Sequence, residues 1–296
     1  MIKKFLLTVF MIAASLLTFT GCTGTKVSEN SVTSHWPLAV QAYCFREFTL
    51  FEAIEKAEQC GFEYIEAYPN QVISKDILDA KGNPQKLWFN ASDEIKNKIK
   101  TKLKKHNVEM TSFGVCGWIY EDDKGMKMVF DFLKDMGVKT FLVEPHKLAI
   151  VPLLDKYAME YKIKVGFHNH PPRDEKYKYW RPEGVLEALE GTSEYLGATP
   201  DVGHWVRSGL DPVEQIKKLE GKIVSVHLKD VSEFGVKKAV DVPLGTGKCK
   251  VKEILGELNR QGFTGVFTIE YESNPENPIS DIKKCVEYFN KTKAQL

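Results

Sequence analysis

The chain has 296 residues, a formal net charge of +1 and an apolar content of 43%. A nearly neutral charge excludes the class of proteins that hold nucleic acid or acidic partners by bulk electrostatic attraction. The length and the apolar content are sufficient for one large domain or two small domains, each with a complete hydrophobic core.

The amino-terminal stretch has the pattern of an export signal. Lys3 and Lys4 precede an apolar run from Phe5 to Phe19, which is followed by Thr20-Gly21-Cys22. A basic region, a short apolar run and small residues before a cleavage point are typical of a secretory signal. The run is too short for a transmembrane anchor and lacks the flanking residues of one. We therefore predict a signal peptide over residues 1–21.

Cys22 directly follows Gly21, and this arrangement resembles a bacterial lipobox. It predicts that Cys22 carries a lipid once the signal is cut; plain secretion with an incidental cysteine is the alternative. Residues 22–35 are rich in Ser and Thr, which predicts a disordered tether before a folded part at 36–296. The protein would be exported in a bacterium, to the periplasm or the outer membrane, and held at the membrane only by its lipid.

From Leu38 onward, stretches typical of strands and of helices alternate without a break in composition. Thr49, Ser92 and the pair Asp211-Pro212 provide the starting signals of three of the helices. The eight strand-like stretches lie at 38–43, 63–68, 108–113, 140–144, 165–170, 198–204, 223–230 and 265–272. Such alternation predicts a parallel sheet, and eight units in about 260 residues match a single (β/α)8 TIM barrel. A doubly wound open sheet is the alternative, but it would normally need a glycine fingerprint after the first strand.

Side chains suited to binding a metal follow several of the predicted strands. In a barrel these carboxyl ends meet on one face, where active residues lie. His168 and His170 are spaced i, i+2, so their side chains point the same way along a strand. The other candidates at strand ends are Glu66, Glu144, Asp201, His204, His227, Lys229, Asp230, Glu270 and Glu272. Each has an ordinary structural explanation, such as a helix cap at Asp201, but their joint position favours one site.

Imidazole and carboxylate ligands together predict the kind of cofactor. They suit one divalent ion such as manganese, cobalt, zinc or nickel better than magnesium. None of the strand ends that carry these candidate ligands has a cysteine, which disfavours a structural zinc site with thiolate ligands.

The residues at the strand ends resemble those of a known superfamily. His168-Asn169-His170, Asp201-x-x-His204, His227-Leu228-Lys229-Asp230, Gly245-Thr246-Gly247 and Glu270 look like the xylose isomerase-like TIM barrel superfamily of sugar isomerases and epimerases. The resemblance covers the chain from about Leu38 to its end. In that family an acid on the fifth strand, an aspartate, a histidine and a glutamate hold one divalent metal.

Carried over to this chain, the resemblance implies Asp201, His227 and Glu270 as metal ligands. His168 stands where the epimerase branch has glutamate, so the chain is more similar to the His-Asn-His branch of inosose dehydratase-like and keto-sugar hydratase or lyase enzymes. His168 is assigned as the fourth ligand, and Glu144 is either its replacement or an acid–base group. The predicted catalytic residues are Glu144, His170 and Lys229, and the predicted substrate contacts are Trp118, His204, Arg207 and Asp230.

The implied function is an enzyme that acts on a small carbohydrate through an enediolate, either as an isomerase or epimerase or as a hydratase or dehydratase. The export signal argues against phosphorylated sugars. A carbohydrate-binding lipoprotein without turnover is one alternative, because it would keep the pocket and need no metal. An endonuclease IV-type nuclease is the other, but it would need histidines where Glu66-Ala67-Tyr68 and Ser112-Phe113-Gly114 stand.

Overall fold

The computed structural model describes residues 36–296 of the chain. The predicted signal peptide over 1–21, the predicted tether over 22–35 and the predicted lipidation of Cys22 lie outside the described residues. Among residues 36–296, no helix combines the length and the apolarity that crossing a bilayer requires.

Ten strands are present in the described residues, and eight of them build the barrel. They are β1 (Leu38–Gln41), β2 (Tyr64–Ala67), β3 (Glu109–Cys116), β4 (Thr140–Val143), β5 (Lys164–His168), β6 (Leu196–Thr199), β7 (Ser225–Leu228), β8 (Asp230–Val231), β9 (Asp241–Val242) and β10 (Val266–Ile269). The barrel strands are parallel and run in the order β6-β5-β4-β3-β2-β1-β10-β7, whereas β8 and β9 form a separate antiparallel pair. The predicted (β/α)8 barrel is confirmed.

The barrel closes where β6 meets β7, at the two ends of the strand order. There the strands join through two single bridges, Ala198 with Ile223 and Asp201 with His227. Three backbone hydrogen bonds support them: Ala198 N donates to Lys222 O at 2.7 Å, Val224 N to Ala198 O at 2.9 Å and His227 N to Pro200 O at 2.9 Å. This junction, the β6–β7 seam, is less continuous than the ladders between the other strands.

Nine α-helices are present in the described residues. They are α1 (Leu50–Gln59), α2 (Asp93–Lys105), α3 (Asp123–Asp135), α4 (Val151–Tyr161), α5 (Pro182–Ala188), α6 (Val202–Arg207), α7 (Pro212–Lys218), α8 (Val251–Arg260) and α9 (Ile279–Lys293). The predicted starts of α1, α2 and α7 are confirmed. Thr49, Ser92 and Asp211 each accept a hydrogen bond from a backbone N–H of the first turn, and Thr49 forms a capping box with Glu52.

The helix α6 and the β8–β9 hairpin differ from the prediction. The stretch 198–204 was expected to be a strand throughout, but a helix begins at Val202 because the Asp201 carboxylate accepts the His204 N–H at 2.8 Å and caps it. The hairpin was not predicted: β8 begins at Asp230, the last residue of the predicted seventh strand at 223–230, and β9 lies beyond that strand.

The strands are covered on both faces. All four residues of β4 are buried, as expected for a parallel strand with helices outside and packed side chains inside. On the helix side, the rings of Phe89, Phe113, Phe132 and Phe141 pack with tilted or edge contacts and centroid distances of 5.4–5.9 Å.

The barrel interior is partly polar. Glu66 on β2 contacts His227 on β7 and Thr268 on β10, and neither strand is a neighbour of β2, so these hydrogen bonds cross the interior. Glu66, His227 and Thr268 are completely buried. Burying polar groups is costly unless they are hydrogen-bonded, and Glu66 is hydrogen-bonded to the other two residues. They form a polar layer inside the barrel on which a site can be built.

Candidate active site

A cavity of about 490 Å³ opens at the carboxyl ends of the barrel strands. His168, His170, His204, Arg207 and Glu270 are among the residues that line it. A depression of about 760 Å³ lies at the opposite ends of the strands, but no histidine, aspartate or cysteine of the described residues lines it. Of these two cavities, the one at the carboxyl-terminal face is therefore the one that histidines line.

Four side chains converge at the base of the cavity. His168, Asp201, His227 and Glu270 each offer one ligand atom, and these atoms all lie within 4.8 Å of one another. His168 ends β5, Asp201 follows β6, His227 lies in β7 and Glu270 follows β10. The structure thus brings together the four residues predicted as metal ligands.

Two atoms of this cluster show that its residues fit a cation. His168 Nε2 and Asp201 Oδ2 are buried and have no hydrogen-bond partner among the described residues. Leaving a buried polar atom such as His168 Nε2 unpaired costs about 1–3 kcal/mol, whereas Asp201 Oδ2 has the ammonium group of Lys229 at 3.3 Å as a counter-charge. A divalent ion would satisfy both atoms, and two imidazoles with two carboxylates are a donor set that borderline divalent ions accept.

Glu144 lies behind His168, on the side away from the cluster. Its Oε1 accepts from His168 Nδ1 at 2.9 Å and also contacts His170 Nδ1, and its Oε2 accepts from Arg173 Nη2 at 2.5 Å. Burial alone would raise the pKa of Glu144, but the hydrogen bonds from His168 and His170 hold it well below its usual value. Glu144 therefore orients two imidazoles, and His168 directs its Nε2 towards the cluster.

His227 lies between two carboxylates. Its Nδ1 is 2.9 Å from Glu270 Oε2, and its Nε2 is 2.9 Å from Glu66 Oε1. Burial alone would lower the pKa of His227, but the charges of Glu66 and Glu270 hold it well above its usual value. In contrast, burial lowers the pKa of His168 to about 4 despite its contact with Glu144.

Lys229, predicted to be catalytic, is fully buried behind the ligand carboxylates. Its Nζ lies 2.5 Å from Glu272 Oε1, 3.3 Å from Asp201 Oδ2 and 3.4 Å from Glu270 Oε2. Burial alone would lower its pKa, but Asp201 and Glu270 hold the pKa well above the usual value. Lys229 is not among the residues that line the cavity. The structure thus places Lys229 where its ammonium group balances the charge of the carboxylates.

Of the predicted substrate contacts, two line the cavity. His204 and Arg207 lie on α6, with Arg207 Nη1 3.4 Å from His204 Nδ1. Arg207 is held by the carbonyl of Ala239 and by an ion pair with Asp241. These contacts fix the two side chains at the cavity wall.

Trp118 and Asp230, the other two predicted contacts, do not line the cavity. Trp118 follows β3, is 56% exposed and stacks on Trp88. The Asp230 carboxylate accepts four backbone N–H groups at 2.9–3.0 Å, from Val231, Gly245, Gly247 and Cys249. The structure thus gives Asp230 a structural role in place of the expected substrate contact. Gly245-Thr246-Gly247 wraps around this carboxylate, and a Cβ on Gly247 would overlap it.

Several cavity residues were missed in the sequence. Gln41, Tyr43 and Tyr68 line the cavity from the ends of β1 and β2, and Tyr43 and Tyr68 form an edge-to-face pair with centroids 5.3 Å apart. Lys237 lines it from a longer loop. The same rule that identified the histidines, position at a strand end, could have found the first three residues. No signal of that kind marks Lys237.

Comparison with known proteins gives three informative similarities. An uncharacterised protein of known structure from Parabacteroides distasonis ATCC 8503 is 30% identical, with a TM-score of 0.68 and coverage of 87% of this chain and 99% of that one. An inosose dehydratase of Mesomycoplasma hyopneumoniae strain J is 24% identical over 234 residues, which are 64% of this chain and 77% of the relative. The IOLI protein, solved with a zinc atom, is 17% identical and shares the fold, with a TM-score of 0.63 and coverage of 88% and 98%.

The fold and the site define a (β/α)8 barrel with a cluster of imidazoles and carboxylates at the carboxyl ends of its strands. A family model for the xylose isomerase-like TIM barrel matches residues 149–292, which contain all four residues of the cluster. The chain belongs to the xylose isomerase-like TIM barrel family, and the predicted resemblance is confirmed.

Proposed function

We propose that this chain is a divalent-metal-dependent hydro-lyase that removes water from, or adds it to, a small non-phosphorylated keto-sugar or keto-polyol. The observation that carries the proposal is the convergence of His168, Asp201, His227 and Glu270 on one point, with two buried atoms lacking hydrogen-bond partners. The similarity to an inosose dehydratase supports the reaction class.

The four residues of the cluster would hold the ion, and Glu144 would support His168 from behind. A divalent ion at this position supplies polarisation of the substrate carbonyl and lowers the barrier to loss of the neighbouring proton. The zinc atom of the IOLI protein supports a divalent cofactor for this fold, and the ligand types favour manganese, cobalt, zinc or nickel over magnesium.

His170 is the acid–base group that the geometry supports best. Its side chain is about one-third exposed and lines the cavity, and its Nδ1 contacts the Glu144 carboxylate. Glu144 would hold Nδ1 protonated, leaving Nε2 to take a proton from the carbon next to the substrate carbonyl. The resulting imidazolium is stabilised by the same carboxylate.

A single acid–base group that returns the proton it has taken is sufficient for a hydro-lyase but not for an epimerase. His170 can return the proton to a hydroxyl leaving from the same face, which releases water and balances the reaction with a single acid–base group. Epimerisation requires a second group on the opposite face of the enediolate. The epimerase branch has a glutamate at the position of His168, and here the Nε2 of that residue is directed at the cluster.

The experiment is proton NMR in heavy water, with keto-sugars and inososes added to protein loaded with manganese, cobalt, zinc or magnesium. The expected result is deuterium exchange next to the carbonyl together with a dehydrated or hydrated product. His170→Ala should keep its metal and lose both signals, whereas Asp201→Ala should lose metal and activity together.

Each other outcome has a defined meaning. Exchange without gain or loss of water would replace the hydro-lyase by an isomerase or epimerase. Sugar binding without exchange at any metal would contradict catalysis and favour a carbohydrate-binding protein. Purified protein that takes up no divalent ion would contradict the metal site itself.

A further inference from the structure

We infer that Glu66 is a positioning residue that holds His227 with Nδ1 facing the ligand cluster. Glu66 is completely buried in the barrel interior, below the cavity. Its Oε1 accepts from His227 Nε2 at 2.9 Å and from Gln41 Nε2 at 2.6 Å, and its Oε2 accepts from Thr268 Oγ1 at 3.3 Å. The inference rests on the metal site of the proposed function.

The two carboxylates beside His227 are not equivalent. Glu270 shares the cluster with His168 and Asp201, while Glu66 is not among the residues whose ligand atoms converge there. Hydrogen bonds to both oxygens hold the Glu66 carboxylate in place. It therefore accepts the hydrogen bond from His227 Nε2–H in a fixed position. Nδ1 faces Glu270, a member of the cluster, at 2.9 Å, so it is the nitrogen of His227 that an ion bound at the cluster would engage.

The two histidines of the cluster are held by opposite ring nitrogens. Glu144 holds His168 at Nδ1 and leaves Nε2 free, whereas Glu66 holds His227 at Nε2 and leaves Nδ1. A histidine ligand whose second nitrogen donates to a carboxylate has a fixed tautomer and ring orientation, and it is a more basic ligand. Removing such a carboxylate typically weakens metal affinity by about 10–100-fold.

The burial of Glu66 indicates a role beyond packing. A fully buried carboxylate is costly unless it is paired and hydrogen-bonded, and a neutral residue would serve as well if only volume were required. Glu66 also reaches the cavity wall through Gln41, which lines the cavity and accepts the Tyr43 N–H at 3.0 Å. The position of His227 is thus tied to the wall that would contact substrate.

The test measures the zinc affinity of the full chain by competition with a chelator. Glu66→Gln should weaken zinc binding by about 10–100-fold while the protein remains folded by circular dichroism. Thr268→Val is the matched control, because it removes one hydrogen bond from the same carboxylate and leaves the Glu66–His227 hydrogen bond in place. Its zinc affinity should stay within about 3-fold of the wild type, since the Glu66–His227 contact remains.

A double-mutant cycle separates an action through His227 from direct binding or general disruption. In a His227→Ala background, Glu66→Gln should change the remaining zinc affinity by less than about 2-fold, because the residue through which it acts is gone. The same 10–100-fold loss in both backgrounds would overturn the inference. So would an unchanged affinity of Glu66→Gln in the wild-type background.

A second measurement does not depend on zinc. In metal-free protein, NMR should show a downfield, slowly exchanging proton on His227 Nε2, and Glu66→Gln should remove or shift it upfield. A wild type that fails to bind zinc but shows this proton would contradict the proposed metal site and leave the contact intact. A wild type that binds zinc without such a proton would contradict the role of Glu66 alone.

Discussion

His168 and Glu144 were the two alternatives for the fourth ligand, and the direction of one imidazole ring favours His168. His168 donates a hydrogen bond from Nδ1 to Glu144, and its Nε2 points towards Asp201 and His227. Nε2 has no hydrogen-bond partner among the described residues. The sequence could not decide this point, because both side chains lie at neighbouring strand ends and both are chemically suitable ligands.

Glu144→Gln should therefore keep the metal and lose activity. The amide cannot stabilise the charged His170, so kcat should fall by about 10²–10⁴-fold, the typical contribution of an acid–base group. Metal affinity should fall by no more than about 10–100-fold, because Glu144 supports a ligand without being one. Metal content by elemental analysis and single-turnover rates check both parts.

His168→Ala is the comparison variant for Glu144→Gln. It should lose the metal under conditions in which Glu144→Gln retains it. If His168→Ala keeps the metal and Glu144→Gln abolishes binding, the two assignments must be exchanged.

At the scale of elements, the loop after β7 is organised around one carboxylate. Asp230 accepts four backbone N–H groups, and three of them come from the Gly245–Cys249 segment. In the sequence, Asp230 was a predicted substrate contact, and Gly245-Thr246-Gly247 was a separate motif of the family resemblance. Their pairing could not be predicted, because the hydrogen bonds join residues 15–19 positions apart across a loop that has no periodic pattern.

Asp230→Ala should destabilise the protein without changing substrate recognition. Four buried N–H groups would lose their partner, and a cost of about 3–5 kcal/mol is expected for such a loss. For a protein of this size that lowers Tm by about 6–20 °C. Calorimetry checks the stability, and KM at a temperature where the variant is folded should stay within about 2-fold of the wild type. A raised KM with an unchanged Tm would restore Asp230 as a substrate contact.

Other elements were predictable because their signals are local. The helix starts at Thr49, Ser92 and Asp211 follow from hydrogen bonds within one turn, and the structure has all three. The helix α6 was missed because Asp201 combines two tasks, as it caps that helix through Oδ1 and faces the cluster through Oδ2. A strand-end aspartate gives the same sequence signal in either role.

At the scale of the whole molecule, the barrel followed from the number and spacing of its strand–helix units, which constrain the fold more strongly than any single stretch. The convergence of the metal-binding side chains followed in turn from the barrel. The sequence could not show which ring nitrogen of each histidine bonds to which carboxylate. That pairing depends on distances between strands that are far apart in sequence.

The predicted anchor is a separate matter, tested by Cys22→Ser in a bacterial host. We expect the variant to leave the membrane fraction or to accumulate with its signal uncut, because serine cannot carry the predicted lipid that would hold the protein at the membrane. Fractionation followed by mass spectrometry of the amino terminus checks this outcome. Membrane association and mobility equal to those of the wild type would count against the lipid anchor.

The β6–β7 seam would link the closure of the barrel to the proposed ion. Asp201 and His227, which form one of the two bridges across the seam, are also two of the four proposed ligands. An ion bound there would link β6 and β7, which few hydrogen bonds connect. Because the ion would bind only when both strands are in place, its binding would stabilise the closed barrel by mass action. Local opening should therefore start at the seam when the ion is removed.

Hydrogen–deuterium exchange can follow that opening. Chelation should increase exchange of the Val224 and His227 amides, which donate across the seam, by about 10-fold or more. The Leu142 amide, in a buried strand on another part of the barrel, should change little and serves as the reference. Equal acceleration at all three amides would mean that the ion stabilises the barrel as a whole. Faster exchange at the Val224 and His227 amides alone would identify the seam as the place where the barrel opens locally.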